Sequence, residues 1–110
     1  MQCNTNYTVE ADKHRYVNLR VLETYRDLFP NIILGLSDHT LGHGSVLGSI
    51  PLGARVFEKH FTLDHNMPGP DHWFSANPIK LKNWCESIKI SSMMLGNSRL
   101  QPTNLEEKNK

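Results

Sequence analysis

Apolar residues in the first third of the chain recur at three- and four-residue intervals. Tyr16, Leu19, Leu22, Tyr25 and Phe29 share one face of a helix predicted from Asp12 to Phe29, which Pro30-Asn31 ends. Lys13, Arg20, Glu23, Arg26 and Asp27 form its solvated face. The pattern then changes. Ile32 to Leu36 is a continuous apolar run, which suits a strand of a parallel sheet covered on both faces. A second helix is expected from Gly44 to Leu52, where the small residues Gly44, Ser45, Gly48 and Ser49 allow close approach to the sheet and Pro51 distorts or ends the turn. Gly53 supplies a C-cap, and Ala54 to Lys59 reads as the next strand. Asn77-Pro78 opens a last helix, with Asn77 as N-cap, Pro78 in the first turn, and Leu81, Trp84, Cys85 and Ile88 facing inward.

Cys3-Asn4-Thr5-Asn6-Tyr7, ahead of all this, has the polar character of a strand end turning into a loop. The order strand, helix, strand, helix, strand, helix is the signature of βαβ units and a parallel α/β sheet. Residues 1–95 make the expected domain, and the polar stretch 96–110 a tail expected to fray.

Composition narrows the partners. The 110 residues, 38% hydrophobic and 21% charged, describe a soluble globular chain of one-domain size. A formal net charge of +1 gives no reason to expect nucleic acid or an anionic membrane surface. No apolar run approaches the roughly 20 residues of a membrane span, and no secretory leader pattern is visible, so the expected location is the cytoplasm. Cys3 and Cys85 do not make a disulfide framework and read as buried thiols.

Candidate chemistry gathers between Gly35 and Ser75. Each apolar strand runs directly into a polar cluster: Ser37-Asp38-His39-Thr40 after the first, Glu58-Lys59-His60-Phe61-Thr62 after the second. Residues two apart on a strand share a face, so Ser37 with His39 and Glu58 with His60 form aligned pairs. At the C-terminal edge of one parallel sheet, where α/β folds place their sites, His39 and His60 become candidates for ligating one divalent metal, with Glu58 or water completing the shell. In the loop Met67 to Ser75, Asp71 and His72 can reach a ligand, Asp71 by holding sugar hydroxyls or a metal-bound water. His14 and His65 are expected at the surface, and His43 near the loop that follows His39.

Three motifs, Gly35-Leu36-Ser37-Asp38-His39-Thr40, Gly53-Ala54 with Phe57 to Asp64, and Gly69-Pro70-Asp71-His72 with Phe74-Ser75, closely resemble the N-acetylneuraminate (sialic acid) synthase family in order and spacing. The resemblance covers roughly Cys3 to Ile88, and departs from the family at Thr8, where proline is usual, and at Pro51. It implies three consecutive βα units of a (β/α)₈ TIM barrel, similar to strands six to eight, with parallel strands and an incomplete barrel. The implied activity condenses phosphoenolpyruvate with an N-acetylated hexosamine, such as N-acetylmannosamine, to a nine-carbon 2-keto-3-deoxy sugar acid of the sialic, legionaminic, pseudaminic or spore-coat kind. By motif, His39 and His60 look like metal ligands, the cofactor being Mn²⁺ with Mg²⁺ or Co²⁺ as alternatives. Glu58 and Asp71 look like the residues nearest the reaction and the acceptor sugar. Thr5 and Ser37 resemble phosphate contacts, and Tyr7 a sugar-side residue. Family members carry a catalytic glutamate and phosphate-binding lysines on earlier strands, so this chain alone is expected to be inactive and to need a homo-oligomeric or complementing partner. The competing reading is an inactive remnant or interaction module that keeps a partial metal site.

Overall fold

A computed structural model describes residues 1–5 and 11–108. Its centre is a three-stranded sheet in the order β1 (Gln2–Cys3), β2 (Leu34–Asp38), β3 (Ala54–Lys59), and both pairings are parallel. A 3₁₀ segment, Ala11–Val17, and helix α1, Val21–Leu28, connect β1 to β2; α2, Gly44–Ser49, connects β2 to β3; α3, Pro78–Met94, follows β3. The predicted α/β alternation and parallel sheet are thus observed.

Every residue of β2 is buried, and its two faces do different work. Leu34 and Leu36 face the helices. Leu34 packs with Leu22 and Ala54, and Leu36 with Val46 and Trp84. Phe57 of β3 joins both clusters, which are rimmed by Leu19, Tyr25, Leu52, Leu81 and Ile88. Burying a side chain such as Leu22 or Leu36 stabilises the fold by about 2 kcal/mol. The opposite face carries Gly35 and Ser37 from β2, with Val56 and Glu58 in register on β3. That face is open at its outer end, where Val56 is 49% exposed.

Three boundaries differ from the sequence expectation. The helix predicted over 12–29 is broken, because Asn18 adopts a left-handed conformation, φ +50°, that asparagine tolerates better than most residues. Leu22 is therefore fully buried while Tyr16 and Phe29 stay at the surface. Ile32 and Ile33 are exposed and precede the ladder, because the turn at Pro30-Asn31 continues to Ile32, whose N–H donates to the Phe29 carbonyl at 3.2 Å. Helix α2 stops at Ser49 instead of Leu52, since the turn into Gly53, φ +106°, closes with a bond from its N–H to the Ile50 carbonyl.

Both cysteines are exposed, which corrects the expectation of buried thiols. Cys85 neighbours the buried Trp84 but falls beyond the inward stripe of α3. Asn77 caps α3 as expected, its side chain accepting from the Lys80 N–H at 2.9 Å, with Pro78 in the first turn. The polar tail holds one further exposed helix, α4, Asn104–Lys108. Its start is a reciprocal box: Thr103 N–H donates to Glu106 at 2.7 Å, and Glu106 N–H to the Thr103 hydroxyl at 3.3 Å. Among the described residues no helix is long and apolar enough to cross a membrane.

Candidate active site

Parallel pairing carries Ser37 opposite Glu58 and Asp38 opposite Lys59, the last two rungs of the β2–β3 ladder. Side chains alternate across a sheet, so the two rungs serve opposite faces. On the open face the Ser37 hydroxyl donates to Glu58 Oε1 at 2.6 Å and lies 3.4 Å from His39 Nε2. One residue past each strand, the His39 and His60 rings meet edge to face with centroids 5.1 Å apart. The structure thus brings together four residues expected at the site.

Asp71 joins them from the following loop, with Oδ2 3.8 Å from His60 Nδ1. Phe74 also packs edge to face against His60, at 5.1 Å, a wall residue that strand alternation does not reveal. Thr62 anchors the loop by bonding His72 Nδ1 at 2.7 Å, and His65 Nε2 bonds the Ser75 carbonyl at 2.8 Å. The Ser75 hydroxyl donates to the Asp71 carbonyl at 2.5 Å. A parallel bridge between Phe61 and Ala76 closes the loop at its base. His65 is therefore a half-buried fastener and not the surface residue expected, while His72 is tied to Thr62. His43 contacts Ser87 of α3 at 2.9 Å, which ties the loop after His39 to that helix.

Thr5 is exposed two residues beyond β1, whose parallel pairing with β2 puts it at the same sheet edge as His39. Tyr7 and Thr8 lie outside the described residues.

The reverse face of these rungs holds a second cluster that sequence reasoning left unassigned. Asp38 Oδ1 accepts from the Thr40 N–H, the Thr40 hydroxyl and the Ser45 hydroxyl at 2.9, 2.7 and 2.6 Å. Its other oxygen meets Lys59 Nζ at 2.9 Å, and the two side chains are 0% and 11% exposed. Burial by itself would raise the Asp38 pKa; the hydrogen bond from Ser45, the charge of Lys59 and the bonds from Thr40 outweigh it and hold the carboxyl below its ordinary value. Alternation puts Asp38 and Lys59, each one residue before a candidate histidine, on this face, but only the register of the two strands brings them together.

Imidazole is an ordinary ligand of divalent ions, and these two rings share a cleft, lined also by Asp38, Thr40, Lys59 and Phe74, of about 10 Å³, no larger than one water or ion. Among the described residues no third His, Cys, Asp or Glu completes a cluster able to enclose a metal, so an ion held by these two would have to take its remaining ligands from water, substrate or other residues.

The NeuB family model matches residues 1–99. The chain belongs to the NeuB family. It is 48% identical over 102 residues to an uncharacterized protein of Methanocaldococcus jannaschii, covering 93% of this chain and 29% of that protein. It is 38% identical over 106 residues to the N,N'-diacetyllegionaminic acid synthase of Legionella pneumophila, covering 96% and 29%. The fold superposes with a TM-score of 0.77 on N-acetylneuraminic acid synthetase from Leptospira borgpetersenii, at 27% identity, over 97% of this chain and 36% of that one. NeuB relatives thus include sugar-acid synthases, and this chain spans 29% of the length of each of the two relatives compared.

Proposed function

We propose that this NeuB chain carries part of the active site of a sugar-acid synthase that joins phosphoenolpyruvate to an N-acetylated hexosamine, such as N-acetylmannosamine, giving a nine-carbon 2-keto-3-deoxy sugar acid. The observation that carries this reading is the meeting of His39 and His60 at two parallel strand ends, with Asp71 beside His60, in a chain of this family. Its strands correspond in this reading to strands six to eight of a (β/α)₈ barrel, and the open sheet face around Ser37 and Glu58 to part of the barrel interior. The setting is cytoplasmic, and the residues that complete the site come from the other barrel strands, in the same or a complementing chain of a homo-oligomer.

His39 and His60 would hold a divalent ion, Mn²⁺ first and Mg²⁺ or Co²⁺ as alternatives, because imidazole suits such ions when water or substrate fills the remaining positions. When bound, the ion supplies Lewis-acid stabilisation of charge developing on a carbonyl oxygen. The carbon–carbon bond forms as the nucleophilic carbon of phosphoenolpyruvate meets the sugar aldehyde; water then adds at C2 and phosphate leaves. Asp71 orients acceptor hydroxyls from the loop. Glu58, fixed by the Ser37 hydroxyl, presents its second oxygen on the same face. Ser37 and Thr5 lie along the sheet edge where a phosphate would sit, and Tyr7 contributes on the sugar side.

Titration of the purified chain with Mn²⁺ by calorimetry tests the reading. Binding is expected in the wild type and in His14→Ala, and is expected to be lost in His39→Ala and in His60→Ala. Equal loss in all three variants, or in none, rejects the assignment. His14 is the control because His65 holds the Ser75 carbonyl.

A further inference from the structure

We infer that the Asp38–Lys59 ion pair is a positioning device that sets the distance between His39 and His60. The inference rests on the reading of these histidines as a ligand pair. The geometry is specific. Lys59 Nζ donates to Asp38 Oδ2 at 2.9 Å and to the Thr40 carbonyl at 2.7 Å, so it grips the residue on each side of His39. Lys59 is itself the residue before His60. One ammonium thereby ties the backbone on both sides of the first histidine to the backbone that carries the second.

The crosslink stands where the backbone ladder ends, since Asp38 and Lys59 are the last paired residues of β2 and β3. Among the described residues β2 and β3 pair no further than that rung; past it the His60 carbonyl accepts from the Ala76 N–H of the following loop at 2.8 Å. The Thr40 and Ser45 hydroxyls also contact one another, at 2.7 Å, so the carboxylate sits in a closed ring of donors. Lys59 Nζ lies 5.6 Å from the centre of the Trp84 ring, which seats the ammonium against α3. A solvated lysine–aspartate pair would hold no such geometry. This pair is enclosed, with both carboxylate oxygens and the ammonium hydrogen-bonded, the condition under which buried charges can select one arrangement over its alternatives.

Asp38 and Lys59 project from the sheet face opposite Ser37 and Glu58 and border the small cleft beside the two histidines, but their charges are spent on each other, so their effect on the histidine pair is one of position. Partners that orient metal-ligating side chains without touching the ion typically affect affinity by about 10- to 100-fold. The test uses three variants of the chain: Lys59→Met, Lys59→Arg, and Asp38→Asn combined with Lys59→Met, which removes both charges and so leaves no uncompensated one.

The first readout is the nuclear Overhauser effect between the His39 and His60 rings in the metal-free protein, measured with urea stability for the same samples. The wild type is expected to show the contact. The double variant is expected to stay folded and lose it, and Lys59→Arg to retain more of it than Lys59→Met. The second readout is Mn²⁺ affinity, expected to fall at least tenfold in the double variant. A folded double variant that keeps the ring contact overturns the inference, as does an Mn²⁺ affinity that recovers in step with stability. Should the wild type bind no Mn²⁺, the metal reading fails, and the positioning role is decided by the ring contact alone.

Discussion

The Asp38 carboxylate accepts four hydrogen bonds within a buried pocket, and its ionisation is therefore tied to folding. Its pKa in the folded chain lies below the unfolded value of about 3.9, so the ionised form contributes stability above that value. This contribution is lost as pH falls through the lower, folded value. Asp38→Asn is expected to cost about 2–3 kcal/mol at pH 7, the worth of a charge-assisted buried contact, and to remove part of the acid sensitivity of the wild type. Urea midpoints measured from pH 2 to pH 7 check both effects, and superimposable acid limbs for the two proteins would contradict the linkage. His39 and His60 could be found in the sequence because alternation and strand ends are local properties. The Asp38–Lys59 bond could not, because it joins residues 21 apart and depends on the register between two strands.

Among the elements, β2 shows how tightly register is held. The ladder shifts between Leu34 and Gly35, and Gly35 lies so close to β3 that an added Cβ would sit 2.8 Å from the Val56 carbonyl oxygen. Gly35→Ala must push β3 away or slide it, and a cost above about 2 kcal/mol is expected by urea denaturation, within the range of overpacked cores. A neutral Gly35→Ala would mean that the two strands separate freely. Helix α3 offers a milder test: Asn77→Ala removes the cap on the Lys80 N–H and is expected to cost about 1 kcal/mol, while Asn77→Asp keeps it. The bounds of β3 and the cap of α3 were legible because Gly53, Asn77 and Pro78 punctuate the chain with backbone constraints. The break after Val17 was not, since Asn18 interrupts an apolar period that otherwise continues through Leu19 and Leu22. The loop from Thr62 to Ala76 was legible only as a cluster of polar residues, because its fastening by His65 and His72 depends on partners ten residues away.

Over the whole molecule, the three strands leave two edges, one on β1 and one on β3, and a sheet face whose β3 residues are half open. Helices cover the other face completely enough that Leu36 and Val46 have almost no exposure. The asymmetry follows from the residues. The covered face is built from Leu34, Leu36 and Phe57, whereas the open face carries Gly35, Ser37, Glu58 and the histidines, with Val56 as an apolar exception. Parallel sheets are ordinarily covered on both faces, and unpaired edges recruit further strands. The purified chain is therefore expected to associate, with a mass by light scattering above the 12.6 kDa of one copy that rises with concentration. Val56→Lys sets a charge on the open face at a position already 49% exposed, and is expected to lower the associated fraction without lowering the urea midpoint. A wild-type chain that stays monomeric at every concentration, with β3 amides protected from exchange, would show that this face needs no covering. If instead addition of a chain carrying the remaining barrel strands dissolves the self-association, the open face is the inner wall of the barrel, and His39, His60 and Asp71 line its mouth.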